Sequence, residues 1–99
     1  MGKREIIWSA KAERKLFEIL EFYTNKNKSR TYSIKLYQKF RIEINRLKVH
    51  PEIGIKTTQS SIRGLIIKDY VVFYEYNSKQ IIIHTLWANR RNPDRLKVM

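Results

Sequence analysis

The chain has no cysteine. Disulfides, thiol nucleophiles, iron–sulfur clusters and thiolate zinc sites are thereby excluded, and a reducing cytoplasm is permitted. Glycine and proline are scarce, three and two in 99 residues, which excludes collagen-like and low-complexity chains. No apolar run approaches the ~20 residues that span a bilayer, so no membrane partner is expected. The start, Met1-Gly2-Lys3-Arg4-Glu5, leads into only three apolar residues, unlike the longer apolar core of a secretory signal. Histidine occurs twice, at His50 and His84, with no metal-ligand spacing. The second half holds only Asp69, Glu75 and Asp94 as acids, too few for a two-metal cluster. No glycine-rich phosphate loop and no nucleophile elbow is present. Neither a metal nor a cofactor is expected.

What the chain does have is positive charge. Twenty-one Lys and Arg oppose nine Asp and Glu, for a net +12. The excess is spread along the chain: residues 1–52 carry 13 basic and 6 acidic side chains, and residues 53–99 carry 8 and 3. Solubility of a small domain needs a net charge of only ~2–8. The surplus attracts polyanions: nucleic acid first, an acidic protein second and an anionic membrane surface third. The length suits one domain over residues 1–99, and 42% hydrophobic residues supply a core.

The hydrophobic pattern then orders the chain. Residues 4–8, Arg-Glu-Ile-Ile-Trp, read as a short strand with β-branched and aromatic members. Ser9 follows as a helix N-cap. Ala12, Leu16, Ile19, Leu20 and Tyr23 recur at helical spacing, predicting a first helix from about Ala10 to about Lys26. A second helix starts near Ser29 or Thr31, with Tyr32, Leu36, Phe40, Ile44 and Leu47 as its apolar stripe, and stops at His50-Pro51. Residues 52–60 read as a loop. Three strands follow at 61–67, 70–76 and 80–87, joined by tight turns at Lys68-Asp69 and Asn77-Ser78-Lys79. Pro93 opens a last helical turn. The expected fold is α+β, in the order β-α-α-β-β-β. A helical hairpin packs on one face of a small, mostly antiparallel four-stranded sheet. The last strand, Ile81-Ile82-Ile83-His84-Thr85-Leu86-Trp87, is apolar on both faces. The second face therefore needs its own cover: a partner, a loop, the C-terminal tail or curvature of the sheet.

The remaining chemistry is that of arginine, lysine and tyrosine. Arg63 lies in the first of these three strands, Lys68 is at its end, and Arg90-Arg91 close the last. Tyr70, Tyr74 and Tyr76 share one face of their strand by parity. Guanidinium groups bind phosphate bidentately and tyrosine rings stack on bases. Lys56, Arg63, Lys68, Arg90 and Arg91 are the nucleic-acid-binding candidates; packing tyrosines and solvated arginines are the plain alternative.

The chain resembles the RelE/ParE superfamily of bacterial toxins from type II toxin–antitoxin systems over about residues 5–95. The likeness runs through Ile7-Trp8-Ser9 with Ala12, the His50-Pro51-Glu52-Ile53-Gly54 turn, Ile62-Arg63-Gly64-Leu65, Tyr70-Val71-Val72-Phe73-Tyr74 and Asn89-Arg90-Arg91-Asn92-Pro93. It implies a cytoplasmic growth inhibitor silenced by a cognate antitoxin, expected to be acidic. RelE-like members cleave mRNA on the ribosome without a metal, the ribose 2′-hydroxyl attacking its own 3′-phosphate. ParE-like members inhibit DNA gyrase. For cleavage, Arg63 with Arg90 or Arg91 would stabilise the phosphate, and Lys68 or Tyr70 would move the proton, since arginine stays protonated. Ala88 stands where an acid or histidine often precedes the family's arginine, and no tyrosine follows Arg91. The expectation is ribosome-dependent mRNA cleavage. Gyrase inhibition, or a degenerate homologue that only binds its antitoxin, are the alternatives.

Overall fold

A computed structural model describes residues 3–89. Strand β1 (Glu5–Trp8) runs into helix α1 (Ala10–Asn27). Ser9 makes that junction sharp. Its backbone is extended, and its Oγ accepts from the Ala12 N–H at 3.0 Å. The same hydroxyl donates to the His84 carbonyl at 2.8 Å, so the helix cap also fastens the helix to the last strand. The helix ends at Asn27, as expected, where Lys28 turns left-handed at φ 52°. Helix α2 (Thr31–Asn45) returns antiparallel. The hairpin is clasped at its neck: the Ser33 and Thr24 hydroxyls lie 2.7 Å apart, and each hydroxyl donates to the Leu20 carbonyl. Two short 3₁₀ turns, Arg46–Lys48 and Pro51–Ile53, lead off α2.

Four more strands complete a five-stranded sheet: β2 (Ile55–Lys56), β3 (Arg63–Ile67), β4 (Tyr70–Tyr76) and β5 (Gln80–Ala88). The order is β1-β5-β4-β3-β2, with β1 parallel to β5 and every other pair antiparallel. The expected sheet had four strands. The fifth, β2, lies in the stretch read as a loop, because two residues are too few to show an alternation. The turns form where the sequence places them. Lys68 adopts φ 53°, and Asn77 Oδ1 accepts from the Lys79 and Gln80 N–H groups.

Ala12 and Leu16 of α1 and Leu36, Phe40 and Ile44 of α2 bury against Leu65, Ile67, Val72, Tyr74, Ile81, Ile83 and Leu86 of the sheet. Between β4 and β5 the register slips. Tyr74 faces Ile83 but Phe73 faces Thr85, which leaves His84 as an extra, bulged residue. The bulge reverses the parity of β5, so Ile81, Ile83 and Leu86 all reach the helix-side core. It accounts for a strand that is apolar on both faces. On the far face Val71 and Phe73 are buried beside Ile62 and Trp87. The Thr57–Ile62 turn, tied by hydrogen bonds from Thr57 to the Ile62 carbonyl, brings Ile62 there. A loop thus supplies part of the cover that face needs. Among the described residues no helix is long and apolar enough to cross a membrane.

Candidate functional site

The three tyrosines of β4 do share a face, and it is the face that the helices cover. Tyr74 is fully buried. Its hydroxyl donates to the Pro51 carbonyl at 2.6 Å and accepts from the Gly54 N–H at 2.9 Å. Gly54 lies so close to the ring that a Cβ there would fall 2.5 Å from the Tyr74 oxygen. Tyr70 is half-buried, tilted against Phe40, and donates to the Tyr23 hydroxyl at 3.2 Å. Burial, reinforced by that bond, raises its pKa well above the ordinary phenolic value. Burial likewise raises Tyr74, with the Gly54 N–H and Arg63 pulling the other way. Tyr76 ends the strand beneath the guanidinium of Arg4, 5.7 Å from its ring centre.

Arg63 faces Tyr74 across the β3–β4 pair. Its Nη1 donates to the carbonyls of Glu52 and Gly54, at 3.1 and 2.9 Å. Tyr74 and Arg63 together therefore hold the His50–Gly54 turn in place. On its other side Arg63 is the register partner of Lys56. Like charges directly opposite each other repel, and an anion between them would relieve that. Lys68 sits at the far end of β3, and Tyr70 pairs with Ile67 beside it. At ~3.3 Å per residue, Arg63 and Lys68 are roughly 16 Å apart. The candidates thus fall into two groups, Lys56 with Arg63 and Lys68 with Tyr70, too distant to hold one phosphate together. Arg90, Arg91 and the turn expected at Pro93 lie outside the described residues.

Two features escaped the sequence. On the far face, His84 Nε2 lies 2.7 Å from Glu75 Oε1. The pair is nine residues apart and is brought together by the bulge, which no periodicity predicts. The second is a groove of about 700 Å³ between β1, α1 and α2. Leu16, Phe17, Leu20, Phe40 and Ile44 line it along the hairpin, with Trp8 from the end of β1. Glu5 and Glu13 also line it, with Arg41 and Lys48. Phe17 is 65% exposed, a large apolar side chain left without cover. No group of three acidic or histidine side chains among the described residues could hold a metal ion.

The sequence model of the family described as the ParE toxin of the type II toxin–antitoxin system, parDE, matches residues 6–93. A chain from the solved chromosomal ParDE TA system of P. aeruginosa superposes with a TM-score of 0.73 at 17% identity. The superposition covers 87% of this chain and 96% of that one. No curated protein matches the sequence.

Proposed function

This chain belongs to the ParE toxin family of type II toxin–antitoxin systems, and from that premise we propose that it arrests growth by binding and inhibiting DNA gyrase. The observation that carries a binding mode over a cleaving one is the commitment of the β4 tyrosines. Metal-free cleavage of RNA needs a proton carrier beside a cation that steadies the phosphate. The Tyr70 and Tyr74 hydroxyls are engaged on the helix-covered face, and their raised pKa values keep both phenols protonated and make them weaker proton donors. Lys68, beside Tyr70, is a strand's length from Arg63.

The groove is the place for a cognate antitoxin. An amphipathic segment with a short acidic stretch would cover Phe17 and Leu20 and meet Arg41 and Lys48. In this reading the toxin works in the cytoplasm, where its target is, and stays silent while the groove is filled. Lys56 and Arg63 remain the candidates for gripping an acidic or phosphate group.

Purified protein in a gyrase supercoiling assay tests the proposal. Relaxed plasmid should stay relaxed at an excess of toxin over gyrase, while transcripts in growth-arrested cells stay intact. Full supercoiling at excess toxin would reject it. One observation favours cleavage of ribosome-bound mRNA as a second reading: the His84–Glu75 pair places an ionisable couple on the open face of a +12 protein. New transcript ends on induction, lost with His84→Gln, would select that reading. Harmless expression without antitoxin would leave only an antitoxin-binding homologue.

A further inference from the structure

Between Glu21 and Glu43 the chain has no acidic residue and six basic ones: Lys26, Lys28, Arg30, Lys35, Lys39 and Arg41. This stretch includes the hairpin turn and most of α2. The helix buries Ser33, Leu36, Phe40 and Ile44, so the row Ile34, Gln38, Ile42, at successive steps of four, lies on the opposite side. Both isoleucines are more than half exposed, at 53% and 61%. Lys35 and Lys39 flank the row on one side, and Arg30 and Arg41 flank it on the other, as 3.6-residue spacing requires. Among the described residues, Lys39 is the one of these four cations with a carboxylate partner, Glu43 at 3.1 Å. Arg41 lies over the Tyr37 ring instead. Arg41 also borders the groove, but the isoleucine row does not.

We propose that this outer ridge of α2 is a second docking surface, separate from the groove, that takes an acidic protein surface bearing apolar side chains. The chemistry favours protein over a nucleic-acid backbone. Phosphates would match the cations but leave Ile34 and Ile42 facing water. A protein partner satisfies both, since apolar anchors beside arginine are typical of binding hot spots. The inference rests on the reading that the toxin acts by binding its target. It assigns the ridge to the target and the groove to the antitoxin.

The test compares three double variants of the full chain with the wild type. Arg30→Glu with Lys35→Glu removes ridge charge. Ile34→Ser with Ile42→Ser removes the apolar row. Lys11→Glu with Arg14→Glu makes the same charge change on exposed positions of α1. Growth arrest on induction and inhibition of gyrase supercoiling are the two readouts, with thermal unfolding to confirm the fold. Both ridge variants should need about tenfold more protein for half-inhibition, with cooperative unfolding retained and an α1 control of wild-type potency. Equal losses in the α1 control would reduce the effect to net charge and overturn the proposal, as would full potency of either ridge variant. Binding to bare duplex DNA that only the charge variant loses would assign the ridge to phosphate and also overturn it. If the wild type arrests growth without inhibiting gyrase, the gyrase reading fails. The ridge is then judged on growth arrest by the same comparison. A wild type that arrests neither overturns both.

Discussion

At Tyr74 a single hydroxyl joins two segments that the chain keeps 20 or more residues apart. Tyr74→Phe keeps the ring and removes the oxygen, leaving the Gly54 N–H and Pro51 carbonyl unpaired. The expected cost is about 2 kcal/mol in urea unfolding. Tyr70 gives a pH dependence. Its folded pKa is raised, so the folded state holds a proton that the unfolded chain releases from about pH 10. That stabilisation is complete below the unfolded value and is lost as pH rises toward the folded one. Wild-type protein should therefore lose stability steeply above pH 10, and Tyr70→Phe should flatten the fall; equal slopes in alkaline unfolding curves would refute it. The residues of the candidate site were visible in the sequence as types and parity, but not as roles. Parity placed the tyrosines on one face correctly. Only the position of the helices decides that this face is the core, and that the Arg63 fork is turned to backbone carbonyls. His84 and Glu75 could not be paired from sequence, because the bulge that joins them leaves no periodic trace.

Among the elements, the junction of β1 with α1 is the most economical. One serine caps the helix and bonds to β5. Ser9→Ala should cost roughly 1–2 kcal/mol. Ser9→Asp, which can still cap the helix but cannot donate to the His84 carbonyl, should recover part of it; full recovery in urea melts would show that the bond to β5 adds nothing. Both helices, the long strands and their turns could be read from the chain because each carries a strong local signal: a cap, a stripe at 3.6-residue spacing, an Asn-led turn. The β2 strand could not. Its two residues are exposed and pair with β3 only because the Thr57–Ile62 turn reverses the chain. The end of α1 at Asn27 agrees with the expected stop near Lys26, because the polar residues after Tyr23 carry no further apolar stripe.

For the whole molecule, charge dominates. A +12 domain of 99 residues repels itself. Screening should raise its melting temperature as salt is added from low ionic strength. Relief of about 1 kcal/mol corresponds to roughly 4–8 °C for a domain of this size. A melting temperature that falls or stays flat between low salt and ~0.5 M would mean that pairs such as Glu43 with Lys39 and Arg46 outweigh the repulsion. The same salt should weaken any acidic partner on the α2 ridge. It should spare one held mainly by the apolar groove.

The sheet also sets an order of events during synthesis. Its first strand in the chain, β1, lies beside β5, the last described one, about 75 residues later. β5 is in turn the neighbour of β4 and the floor beneath α1. Until a translating ribosome has released β5, the hairpin has no complete surface to settle on and β1 has no neighbour at all. Prematurely terminated fragments should therefore be harmless debris rather than partial poisons. The sheet can close only once β5 has left the ribosome.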